Sequence, residues 1–207
     1  GFLTVPDIYM EKIAVGTCVP EGAIDLDNEP ADNLKAVAEA KGVDIGDLMV
    51  VMLDRPRHNQ LLEQVRAAGA RVRLILDGDV SGVIAAGLPT NPVDVYMGIG
   101  GAQQGVLAAA ALRCFGAAMQ ARLVIRSPED AEKAKAAGIP DPDRKYGAEE
   151  MARGNVTFAA TGVSEGPMLK GVQLTPGGAI TSSMVMRSRT GTFRFIEGHH
   201  DFTRGDG

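Results

Sequence analysis

Between residues 48 and 114 the apolar positions switch between two spacings, and each switch marks a new element. LMVVML (48–53) is a continuous apolar run of strand length, the pattern of a strand covered on both faces. The loop DRPRH follows. From 59 to 68, Leu61, Leu62 and Val65 then fall on one side of a helix that Gly69 closes. Residues 72–76 predict a second strand, 80–86 a short helix, 93–97 a third strand, and 103–114 a long Ala-rich helix. Strands alternating with helices in this way predict an α/β fold: a mainly parallel sheet flanked by helices.

The flanks are less regular. Residues 7–15 (DIYMEKIAV) read as an extended segment ending at Gly16, and a Gly-, Pro- and Asp-rich connector (16–30) follows. Residues 33–41 predict a helix stopped by Gly42. Beyond the Ala-rich helix, 126–155 is polar and punctuated, with helices predicted at 128–137 and 148–152. Residues 156–160 predict a strand, and 182–187 with 192–197 a hairpin around Arg189-Thr190-Gly191. Met184 and Met186 are expected in the core. The segment opening at Gly1-Phe2-Leu3-Thr4 reads like the interior of a structure, so the chain is expected to be the later part of a longer protein.

Composition narrows the function. With 45% hydrophobic and 23% charged residues, the 207-residue chain can bury a sizeable core. A net charge of -5 and 4% aromatic residues argue against a nucleic-acid binder. The longest helical apolar run, 106–112, is too short to span a bilayer. Cys18 and Cys114 stand far apart and outside any C-x-x-C pattern, which fits a reducing, cytoplasmic setting.

In parallel sheets ligands bind beyond the carboxyl ends of the strands. Here three such ends carry chemistry: Arg55 and Arg57 around Pro56, Asp77 and Asp79 around Gly78, and Gly98, Gly100 and Gly101 before a helix. Guanidinium forks match phosphate oxygens, a helix start offers free N–H groups, and paired aspartates accept from hydroxyls or hold a metal. Taken singly, each is equally a solvated charge pair, a tight turn or a strand–helix junction. Their coincidence on one edge points to a sugar phosphate. GIGGAQQG lacks the third glycine of the dinucleotide fingerprint, since Gln103 stands there, and no Walker lysine follows; a nucleotide-binding domain is the weaker alternative. His58 is either a general base or the start of a helix, and His199-His200 diverge on a strand and read as surface.

Six stretches, PDIYMEKIAVG (6–16), LDRPRH (53–58), DGDV (77–80), GIGGAQQGVLAAAALRC (98–114), FAATGVSEGPMLKGV (158–172) and MVMRSRTGTFRFIE (184–197), run in the order of one family. With them the chain resembles the class II, GlpX-like fructose-1,6-bisphosphatases, including bifunctional fructose/sedoheptulose bisphosphatases. The resemblance covers the C-terminal two-thirds of that family, and 126–154 matches least. It implies a layered sugar-phosphatase fold, in which 1–26 is a remnant of the N-terminal metal-binding domain with its connector and 27–207 is the sugar-phosphate-binding domain. It also implies hydrolysis of the 1-phosphate of fructose 1,6-bisphosphate with Mn2+ or Mg2+, in gluconeogenesis or the Calvin cycle, by a homo-oligomer (dimer or tetramer). Substrate contacts carry over to Tyr9, Arg55, Pro56, Arg57, Asp77, Gly78, Asp79 and Gly101. The family's metal-binding glutamate falls at Gln104, whose neutral amide is a weaker ligand for a hard cation. The acidic motifs that hold most of the metal have no counterpart here, so this chain by itself is expected to be inactive. The alternative is a degenerate phosphosugar-binding module without catalysis.

Overall fold

A computed structural model describes residues 1–166 and 168–204; Pro167, inside the 158–172 match, and 205–207 lie outside the described residues. Six strands form the main sheet in the order β3-β2-β4-β1-β5-β6. β2 (Met49–Leu53), β3 (Arg71–Ile75) and β4 (Val95–Gly101) run parallel, joined by crossovers through α2 (Asn59–Ala67) and α3 (Asp79–Gly87). The expected α/β architecture is present, and the sheet is mixed. β1 (Tyr9–Val15) runs antiparallel to both β4 and β5 (Ala118–Val124), and β5 runs antiparallel to the short β6 (Tyr146–Gly147). One sheet therefore takes strands from both sides of position 26.

β5 has no counterpart among the predicted elements, although its sequence AMQARLV alternates cleanly, with Met119, Ala121 and Leu123 buried. The connector ends earlier than its composition implies: α1 (Pro30–Lys41) starts at a proline, whose missing N–H costs a first helical turn nothing. Gly42 closes that helix in the left-handed conformation expected of it.

Each sheet face is covered. α1 and α2 lay Leu34, Val37 and Val65 on Val50, Met52, Val95 and Met97. α3 and α4 (Ala102–Phe115) cover the other face, against Met10, Val51 and Tyr96. Burying side chains of this size contributes about 1.5–3 kcal/mol apiece. α4 is Ala-rich for a packing reason. Ala108 and Ala109 face the main sheet, while Ala110, Ala111 and Cys114 face a second sheet through Phe158, Met184 and Met186. A helix wedged between two sheets must be apolar all round and thin. That second, antiparallel sheet has the order β10-β9-β7, with β8 also pairing β9. Its strands are β7 (Thr157–Thr161), β8 (Gln173–Thr175), β9 (Gly178–Arg187) and β10 (Thr192–Asp201). The predicted hairpin is thus β9–β10, each strand longer than its sequence pattern suggests. α5 (Pro128–Ala136) and α6 (Ala148–Met151) complete the chain.

Candidate ligand site

Strand direction gathers the chemistry on one edge. β2, β3 and β4 all end there; β1, antiparallel to β4, begins there; β5, antiparallel to β1, ends there. Tyr9 pairs with Gly101 on one side and Val124 on the other, so Tyr9, Gly101 and the residues after Val124 are neighbours.

Two consecutive residues clamp the peptide of Ile99. Arg57 donates from Nε and Nη2 to the Ile99 carbonyl at 3.0 and 2.8 Å, and the Ile99 N–H donates to His58 Nε2 at 2.8 Å. His58 Nδ1 donates to the Leu53 carbonyl at 2.7 Å. A carbonyl only accepts and an amide N–H only donates, so this imidazole is neutral with its proton on Nδ1. Burial holds its pKa below the ordinary value against the opposing pull of the Leu53 hydrogen bond, and the Arg57 charge lowers it further. Both nitrogens are occupied, so His58 ties the end of β2 to β4 and has no nitrogen to spare as a base.

Beneath the adjoining loop lies a buried network. Lys12, only 1% exposed, pairs with Asp79 Oδ2 and donates to the Gly101 carbonyl at 3.2 Å. The Tyr96 hydroxyl donates to Asp79 Oδ1. Burial pulls the Lys12 pKa down against the opposing charge of Asp79, and pushes the Tyr96 phenol well up. Glycines make the room: a Cβ on Gly100 would overlap the Asp79 carboxylate and stand 2.9 Å from Lys12 Nζ, and one on Gly105 would stand 2.5 Å from Met10 Sδ. Gly78 starts α3 with φ +82°, a left-handed conformation in which a side chain is strained.

Above this floor the guanidinium of Arg126 stacks on the Tyr9 ring at 4.1 Å and that of Arg57 at 4.9 Å. A cavity of about 350 Å³ opens beside Tyr9 and Arg126, lined by Asp7, Ile8, Tyr9, Gly101, Arg126 and Asp130. None of the ion pairs among the described residues uses Arg57 or Arg126. Two guanidiniums with no carboxylate bound, beside main chain at a helix start, suit an anion.

The structure thus brings Tyr9, Arg57, Asp79 and Gly101 together. Arg55 donates to the Asp54 carbonyl at 2.8 Å, while Pro56, Asp77 and Gly78 are exposed on the same edge. Three residues escaped the sequence reading. Lys12 betrays itself only by parity, standing between Met10 and Ala14 on an inward row; Tyr96 sits inside an apolar strand; Arg126 follows the strand that went unseen. His199 and His200 are exposed, bonded to Glu197 and Thr181.

A divalent cation does not fit this donor set. No three His, Cys, Asp or Glu side chains among the described residues could hold a metal ion together. Gln104 is exposed, with its amide oxygen turned back over Gly101, and the Asp79 carboxylate already accepts from an ammonium.

A sequence model described as bacterial fructose-1,6-bisphosphatase, glpX-encoded, matches residues 1–200. D-fructose 1,6-bisphosphatase class 2/sedoheptulose 1,7-bisphosphatase of Synechococcus sp. (strain JA-2-3B'a(2-13)) is 42% identical over 213 aligned positions, covering 97% of this chain and 61% of the relative. The protein of the same description from Trichodesmium erythraeum (strain IMS101) is 41% identical, covering 98% of this chain and 62% of the relative. The chain therefore spans about three-fifths of the length of these curated relatives.

Proposed function

The chain belongs to the bacterial, glpX-encoded fructose-1,6-bisphosphatase family, and from that premise we propose that it forms the sugar-bisphosphate-binding part of such an enzyme. In this reading the whole protein hydrolyses the 1-phosphate of fructose 1,6-bisphosphate, with sedoheptulose 1,7-bisphosphate as a second substrate. The observation that carries it is the pair of guanidiniums, Arg57 and Arg126, flanking Tyr9 beside the Gly101 main chain. Their charge, the Arg126 fork and the Nη1 donors that Arg57 keeps beyond its clamp on Ile99 hold a phosphate, and the α4 amides that begin beyond Gly101 add to the field. Arg55 and Asp77 reach the ligand from the rim, and Asp79, fixed from below, presents its remaining lone pairs to a sugar hydroxyl. These groups bind and orient, which is where much of the rate of a phosphoryl transfer to water comes from. Mn2+ or Mg2+ belongs to the reaction of the whole family member, and the donors this chain offers among the described residues do not by themselves fit it.

Isothermal calorimetry on the chain tests the reading. Fructose 1,6-bisphosphate binds more tightly than ATP or NAD, and Arg126→Ala narrows the preference about ten-fold. Equal dissociation constants for all three ligands would overturn it. Gln104 favours a second reading, a phosphosugar-binding module without turnover. In the full-length protein, phosphate release that stays at background with manganese in both the wild type and Gln104→Glu supports the module; a gain in the variant supports an enzyme weakened at this position.

A further inference from the structure

We propose that Lys12 is a positioning residue of the ligand site: its ammonium ties the loop that starts α3 to the end of β4, where α4 begins, and so sets Asp79 and Gly101 relative to each other. The proposal rests on the reading that this loop and strand end face a sugar bisphosphate. β3, which leads into that loop, and β4 are not neighbours in the sheet, because β2 lies between them. Among the described residues no backbone hydrogen bond joins 77–79 to 98–101. What spans the gap is side chain: Lys12 Nζ reaches Asp79 Oδ2 and the Gly101 carbonyl together, and Tyr96 holds the other Asp79 oxygen.

Stability alone gives no reason for this lysine. β1 alternation places Lys12 in a row with Met10 and Ala14 on the face that α3 and α4 cover, where a hydrophobe of the same length would pack. Desolvating a buried ion pair commonly cancels its attraction, so such a pair is weak evidence of stabilisation and stronger evidence of a fixed geometry when its hydrogen bonds are this specific. The surroundings are cut to fit it. Gly100 leaves room for both charged groups, and a Cβ on Gly105 would come within 3.3 Å of the Lys12 Cδ. With one bond to a side chain at the start of α3 and one to the carbonyl just before α4, Lys12 joins the α3 loop to the end of β4.

The test separates positioning from charge balance. Lys12→Met alone strands the Asp79 carboxylate and lowers stability whatever the role. The Lys12→Met/Asp79→Asn double variant removes both charges while keeping the volume, so its melting temperature returns to within a few degrees of wild type. If Lys12 sets the α3 loop against the end of β4, two protected amides still exchange faster in the double variant, by about ten-fold or more. These are Ala102, whose N–H bonds the Ile8 carbonyl, and Gly82, bonded to Gly78. Affinity for fructose 1,6-bisphosphate in calorimetry is about ten-fold weaker in the double variant than in Asp79→Asn alone, which carries the same change at the ligand, a difference of about 1.4 kcal/mol. Wild-type exchange at both amides, or affinity equal to that of Asp79→Asn, would overturn the proposal and leave Lys12 a mere counter-ion. Hydrogen exchange is measured on the free protein. A wild type that binds no sugar bisphosphate therefore defeats the proposed function, while exchange still decides the role of Lys12.

Discussion

The two halves of the main sheet obey different rules. In the parallel half, β3-β2-β4, each strand is followed by a helix that crosses back over the sheet, and central β2 is apolar on both faces. In the antiparallel half, β1-β5-β6, β5 alternates: it buries Met119, Ala121 and Leu123 and turns Gln120 and Arg122 to the other face. The parallel half supplies Arg57, His58, Asp79 and Gly101. The antiparallel half supplies Tyr9, Lys12 and Arg126. The site is a seam between them, along the β4–β1 pairing, and each half lacks cations that the other provides.

The strongest way to break the seam is Gly100→Ala. The added methyl would overlap the Asp79 carboxylate and crowd Lys12 Nζ, so the buried pair must separate. Breaking such a pair costs about 3–5 kcal/mol. Urea unfolding is expected to show a loss of that order, with sugar-bisphosphate binding gone under conditions where the variant is still folded. Unchanged unfolding in Gly100→Ala would mean that the halves are not joined through this network.

Next come the two arginines, one from each half. Arg57→Ala removes a guanidinium that faces the ligand and also releases the Ile99 carbonyl, so affinity for fructose 1,6-bisphosphate should fall about 100-fold. Arg126→Ala removes only charge and stacking, for a loss of about ten-fold that shrinks with added salt. An Arg126→Ala loss equal to that of Arg57→Ala would show that the clamp on Ile99 contributes nothing to binding.

The same contrast explains what the sequence could tell. Continuous apolar runs and Gly-closed helices made the parallel half legible down to the turns that carry Arg57 and Asp79, because local pattern and topology coincide there. β5 was hidden because alternation in AMQARLV mixes small, polar and charged residues and carries none of the β-branched density that announces a strand. Missing β5 meant missing Arg126, which is defined only by where that strand ends. Lys12 was visible as a residue and invisible as a site: its partners Asp79 and Gly101 lie far along the chain, and only the antiparallel placement of β1 brings them to it. Long-range pairing of this kind leaves no local signature.

His58 probes the parallel half through pH. Its folded pKa lies below the ordinary value of 6.5, so above that pH both folded and unfolded states are neutral and its contribution is complete. As pH falls through 6.5 the unfolded chain takes up the proton first, and stability drops until the folded pKa is passed. Protonation would also set an N–H on Nε2 against the Ile99 N–H. Urea midpoints measured from pH 8 to pH 5 should therefore fall more steeply in the wild type than in His58→Gln, which can accept from Ile99 without titrating. Parallel curves would mean that the imidazole is not held neutral.

The smallest effect sharpens the contrast between neighbouring arginines. Arg55 and Arg57 flank one proline, yet only Arg57 turns both Nε and Nη2 onto β4; Arg55 bonds the carbonyl of Asp54, next to it in the chain, and crosses no strand boundary. Arg55→Ala should therefore change stability by no more than about 0.5 kcal/mol, the usual range for a surface substitution away from special features. A rim cation still attracts an anionic ligand through solvent, so affinity should weaken about three-fold at low salt and by less at physiological ionic strength. A loss matching that of Arg57→Ala would move the phosphate away from the β4–β1 seam and toward the open end of β2. In that case the antiparallel half would frame the site without holding the ligand.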